Sequence, residues 1–152
     1  MTGSGAFRLP FELDGDVRSF AFDAHAAPYS RPVPGFPEGL PTDAVGRVET
    51  FHWFAEDGTA QTARGDVDCL VTGPRTATLT AVIAEGPDEW VGRRLGFSVY
   101  DGPGGRDRVG LSWGVGNLLD GGEEAEVGTC MAPAPFAPVV RGGFNVAHAE
   151  LR

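Results

Sequence analysis

Gly65–Gly73 (GDVDCLVTG), Arg75–Ala84 (RTATLTAVIA), Arg93–Gly102 (RRLGFSVYDG) and Asp107–Trp113 (DRVGLSW) follow one another almost without filler. Each mixes β-branched, aromatic and small residues, and GPR, EGPDEW and GPGG punctuate them. Runs of this kind between Gly/Pro turn signals read as an antiparallel meander. Working outward, Phe7–Leu13, Val17–Ala26, Val45–Glu56 and Thr59–Thr72 read as strands on the N-terminal side, and Val139–Leu151 on the C-terminal side. Asp14-Gly15-Asp16 and Asp57-Gly58 supply turns, and Gly65 marks a bend or bulge. Phe20 and Phe22 share one face of their strand, with Asp23 and His25 on the other. In the last strand Phe144, Val146 and His148 alternate with Asn145, Ala147 and Ala149. About eight strands at hairpin spacing, with no convincing helix, predict one all-β domain over residues 1–152, a barrel or a sandwich. The barrel is preferred because a meander closed by its last strand leaves no exposed edge.

A chain of 152 residues can bury one core without staples. The net charge is −9, and all twelve basic residues are arginine, a usage that fits a GC-rich coding sequence. Such a balance excludes a nucleic-acid surface, which needs a basic face to neutralise phosphate, and disfavours anionic membranes. No run approaches the roughly eighteen apolar residues of a spanning helix. The opening MTGSGAFRLPFELDGD has neither a basic head nor an apolar stretch, so a cytoplasmic protein is expected, the alternative being a secreted one after signal removal. Cys69 and Cys130 form no zinc pattern and no CxxC motif. They read as reduced, buried thiols, or as a bridge if the protein is exported.

Two segments interrupt the strands. Ala27–Ala44 carries Pro28, Pro32, Pro34, Pro37 and Pro41, which forbid helix or sheet interior. Long loops of this kind are often functional. With Tyr29 and Phe36 to bury, this one reads either as a lid over a barrel mouth or as a surface Ω-loop. Gly116–Pro138 holds the acidic run Glu123-Glu124-Ala125-Glu126, a solvated tip, and then MAPAPFAP.

Groups with chemistry are sparse. His25, His52 and His148 lie on different strands without HxH or HxxxH spacing, so no metal site is expected. Asp101, Asp107 and Arg108 flank Gly102-Pro103-Gly104-Gly105, where aspartates ordinarily bond nearby amides. That turn leads into no helix and is not a phosphate loop. Ser98 and Ser112 have no partnering base. The stretch Thr50-Phe51-His52-Trp53-Phe54 is aromatic on both faces, whereas a half-solvated strand alternates apolar with polar. Such a strand needs protein outside it and either core or ligand within.

Gly65-Asp66-Val67-Asp68-Cys69-Leu70-Val71, Arg75–Leu79, Phe97–Asp101 and Asp107–Val109 together resemble a family of small, poorly characterised β-rich proteins of GC-rich Gram-positive bacteria. That pattern is a V-x-C-L-x-V strand, an A-x-V strand and an F-x-V-x-D strand closing on a Gly/Pro turn. Many of that family are exported, and it offers no catalytic residues to carry over. In architecture alone the expected barrel is similar to cyclases of bacterial natural-product pathways, including spirotetronate cyclases, and to allene oxide cyclase-like and lipocalin-like barrels.

The leading functional expectation is therefore a small apolar-ligand-binding barrel acting as a cofactor-independent cyclase on a polyketide-type chain. Catalysis would come from orientation and water exclusion. Tyr100, His52 and Trp53 are the candidate donors. Phe51, Phe54, Phe97 and Trp113 are the candidate walls, with Tyr29 and Phe36 on the loop above. Two alternatives use the same fold: a non-catalytic carrier, and a structural or interaction module with no ligand. The partner expected is a small apolar molecule, and the protein a monomer or homodimer. The first two readings predict a cavity of roughly 300 Å³ or more under the Pro-rich loop; a filled interior favours the third.

Overall fold

Eight antiparallel strands, each paired with the next and the last with the first, close into a barrel in a computed structural model that describes residues 1–112 and 126–151. They are β1 (Thr2–Phe7), β2 (Val17–Ala26), β3 (Ala44–Trp53), β4 (Ala60–Gly73), β5 (Thr76–Glu85), β6 (Arg94–Tyr100), β7 (Arg108–Leu111) and β8 (Ala137–Asn145). Closure runs through Thr2↔Asn145 and Gly3↔Phe144. The expected bulge falls between Arg64 and Gly65, and a second lies between Val67 and Cys69. No helix among the described residues is long and apolar enough to cross a membrane.

The first strand lies earlier than the pattern predicts. Phe7–Leu13 looks more strand-like than Thr2-Gly3-Ser4-Gly5-Ala6, yet the latter forms the ladder. The reason is room. A Cβ on Gly5 would stand 2.9 Å from Val139 Cγ1 and 3.1 Å from the Phe144 ring. Small residues on β1 let large rings from neighbouring strands fill the middle. The last strand likewise ends at Asn145, short of the expected Leu151.

Register turns Phe7, Phe20, Phe22, Leu79, Ile83, Leu95, Phe97, Val99, Val109 and Leu111 inward, and all are buried. Phe97 meets Phe20 edge-on at 5.2 Å and Phe22 at 5.5 Å, while Phe7 packs on Phe20 at 4.6 Å and Phe144 on Phe22 at 5.4 Å. The barrel centre is thus a mesh of rings, packed as protein interiors are. On the outer face, Gly96 of β6 and Gly110 of β7 leave space for the chain at Met131–Ala134, whose carbonyls would overlap a Cβ at either position. Ser98 Oγ donates to the Pro133 carbonyl at 2.5 Å, fastening that crossing. This cover explains why β6 is buried on both faces.

Candidate functional site

The two barrel ends differ. The loops 8–16, 54–59 and 86–93 share one end, here the near end; the loops 27–43, 74–75 and 101–107 share the far end. At the near end the inward positions turn polar: Arg18 of β2 pairs with His52 of β3, which pairs with Gln61 of β4, and Thr50 lies one inward step below. A space of about 20 Å³ lies between these groups and Phe7, Phe20, Trp90 and Leu111. That is room for one water molecule.

His52 Nε2 lies 2.6 Å from Asp16 Oδ2, and Asp16 Oδ1 accepts the Ala55 N–H at 2.8 Å. The His52 ring lies against Phe54, with centroids 3.9 Å apart. Arg18 reaches Glu12 at 2.8 Å, Asp14 at 2.6 Å and Asp16 at 3.4 Å. The Arg18 guanidinium holds the Asp14 carboxyl well below the usual carboxylate range. The Ala55 amide, followed by His52, lowers that of Asp16. Hydrogen bonds to the charged form are the cause in both cases. Each of these bonds ends on a loop: the cluster ties loop 8–16 to the β3–β4 turn and stoppers the mouth, helped by Leu9, which is buried.

The expected donors do not converge. His52 points inward at the near end. Tyr100 pairs with Thr76 and Arg108 on the outward side of β6, at the far end. Trp53 alternates to the outer face with Phe51, opposite Val17 and Ser19. Phe54 follows β3 and packs on His52, Phe97 lies at the centre of the core, and Trp113 lies outside the described residues.

The Pro-rich loop extends the wall beside β4. Asp43, buried, accepts the N–H groups of Arg31 at 2.9 Å and Leu40 at 3.0 Å, and the Thr42 carbonyl accepts Leu70 N–H at 3.0 Å. Its tip turns back at a Val33–Phe36 bridge, leaving Tyr29 and Phe36 half-exposed. This is the Ω-loop arrangement, not a lid. Asp107 Oδ1 and Oδ2 accept the amides of Gly102 and Phe144, and Asp101 accepts that of Val146, so both aspartates join the β6–β7 hairpin to β8. His25, on the strand next to His52 but paired with Val45 at its opposite end, bonds Asp23, and His148, beyond β8, bonds Glu150 and Thr72. Among the described residues no group of three His, Cys, Asp or Glu side chains could hold a metal ion.

Cys69 and Cys130 form a disulfide, correcting the reduced-thiol expectation. The β4 bulge at Asp68 helps set it: Thr80 Oγ1 donates to Asp68 at 2.5 Å and accepts Cys130 N–H at 3.1 Å, while Arg94 Nε donates to Asp68 at 2.8 Å. Larger spaces lie outside the barrel. One, of about 630 Å³, is bordered by Val71, Thr78, Cys130, Met131 and Pro133. Another, of about 590 Å³, is bordered by Arg75, Asp101, Gly102–Gly105 and Asn145. Sequence reasoning missed Asp16, Arg18, Asp43 and Asp68 as organisers, because their partners lie distant in the chain or on loops. The one available signal was the alternation of acids at Glu12, Asp14 and Asp16 just before Arg18. Comparison with family models, curated proteins and solved structures finds no match to this chain.

Proposed function

We propose that this chain is a non-catalytic interaction module of an oxidising compartment, a barrel whose solid interior is a scaffold and whose outer surface makes the contacts. The filled interior carries this reading: the Phe7–Phe20–Phe97–Phe22–Phe144 mesh occupies the axis, and the polar near-end mouth has room for one water molecule. A cyclase or carrier for an apolar chain needs several hundred cubic ångströms of enclosed space and convergent polar groups. Tyr100 and His52 instead stand at opposite ends and on opposite sides of the wall. The disulfide supports an exported protein, since such bridges persist where the surroundings are oxidising.

The test is a titration of the purified oxidised chain with a fluorescent medium-chain fatty acid, together with a heteronuclear spectrum of the phenylalanine rings. The module gives no saturable binding and unmoved Phe97 resonances. Stoichiometric uptake that shifts Phe20, Phe22 and Phe97 would return the barrel to the ligand-binding readings.

A further inference from the structure

On loop 8–16, Glu12 and Asp14 both turn inward onto the Arg18 guanidinium, at 2.8 and 2.6 Å. Leu9 is buried in the barrel mouth, and Asp16 is pinned by His52 and Ala55. The residues between them are driven outward by this anchoring. Leu13 is 99% exposed, and Phe11, one side of whose ring stacks on Phe136 with centroids 5.8 Å apart, is 58% exposed. Trp53 and Val91, from the β3 end and the 86–93 loop, are also exposed at this end. A leucine presented wholly to water on a backbone fixed on both sides forgoes burial. It is also a preorganised anchor, whose docking costs little further ordering.

Charge says what it would meet. The loops 8–16, 54–59 and 86–93 carry seven carboxylates, Glu12, Asp14, Asp16, Glu56, Asp57, Asp88 and Glu89, against Arg8 and Arg93, with Arg18 of β2 paired to the first three. The far-end loops are nearly balanced, with Glu38, Asp43, Asp101 and Asp107 against Arg31, Arg75 and Arg106. Apolar projections within an acidic rim match a basic partner and repel polyanions such as nucleic acid or anionic lipid.

We propose that the near end is a docking surface on which Leu13 and Phe11 enter an apolar cleft of a protein partner rimmed by lysine and arginine. The inference rests on the module reading and names the surface and partner that it implies.

Phage-displayed random peptides, selected on the full oxidised chain immobilised through its C-terminus, test it. The expected winners set Lys or Arg around aliphatic or aromatic residues. Their affinity falls at least about tenfold with Leu13→Asp, weakens from about 50 to about 500 mM NaCl, and is unmoved by Phe36→Asp at the far end. Leu13→Asp touches no packed group, so an unchanged melting curve is expected and keeps the comparison valid; Trp53→Ala is the second variant should it fail. Winners without basic residues, winners indifferent to both near-end variants, or no enrichment over bare matrix would each overturn the docking surface. Such a failure alongside a blank fatty-acid titration leaves the module reading intact, whereas fatty-acid uptake removes that reading whatever the peptides do.

Discussion

The Arg18 cluster makes one guanidinium serve three carboxylates, and that has a consequence in acid. Asp14, held down by Arg18, and Asp16, held down by Ala55 and His52, both titrate lower when folded than in the unfolded chain. Asp57 shifts the same way through the Thr59 hydroxyl and amide. A depressed folded pKa gives stability that is fully present above the unfolded value of about 4 and is lost as pH falls through the folded one. Urea midpoints are therefore expected to be flat from neutral pH to about 5 as far as these groups are concerned, and to decline below about 4. Asp14→Asn removes its share, giving a shallower decline from a lower neutral-pH start. A slope identical to the parent's would show that the Arg18 contact adds nothing. Asp43 is the far-end counterpart, a buried carboxylate bonded to two amides of the Pro-rich loop. Asp43→Ala leaves both donors without their partner and is expected to cost about 2–3 kcal/mol. Protease nicking near Pro34-Gly35 should rise with it, and unchanged nicking would mean that the loop is held by other contacts.

At the scale of the element, the disulfide joins the β4 bulge to the loop before β8 across a separation of 61 residues. On the loop-entropy model, closing a loop of that length in the unfolded chain is worth about 4 kcal/mol. Reduction is thus expected to lower the guanidinium midpoint by an amount equivalent to about 2–4 kcal/mol, with the intact mass rising by two hydrogens. A midpoint indifferent to reductant would deny the bridge its role. The bridge was open to either reading in the sequence, because Cys69 and Cys130 become neighbours only through the register bulge at Asp68 and the glycine-made channel over β6 and β7. Strands β2 to β7 were legible because their alternation and turns are local signals. β1 was not, since Gly5 admits Val139 and the Phe144 ring and Gly3 admits the Gly143–Phe144 backbone, all supplied by β8. The aromatic run around His52 was legible as unusual and misleading in direction. Its inward members, Thr50 and His52, are the polar ones, and Phe51 and Trp53 face outward. Periodicity fixes that two faces exist, and only the cross-strand register with Phe20 and Ala63 says which of them is inside.

For the whole molecule, the packing of rings along the barrel axis, as the described residues show it, is a property that one substitution can reverse. Phe97 is fully buried and touches both Phe20 and Phe22, so its ring keys the mesh from the β6 side to the β2 side. Every strand is paired with both neighbours around the closed barrel, though β7 and β8 share only two register pairs, so the wall resists collapse onto a missing ring. Phe97→Ala is then expected to leave most of the hole open and to cost about 3–5 kcal/mol. That is a large share of the 5–15 kcal/mol or so by which such domains are stable, so the oxidised protein is the form in which to make it. An apolar hole in a rigid core stays dry and takes up small aromatic molecules. Added benzene should raise the melting temperature of Phe97→Ala and leave the parent unaffected. If the parent responds as strongly as the variant, its centre already holds accessible space and the scaffold reading fails; if neither responds, the strands have closed over the gap and the wall is softer than its ladders imply.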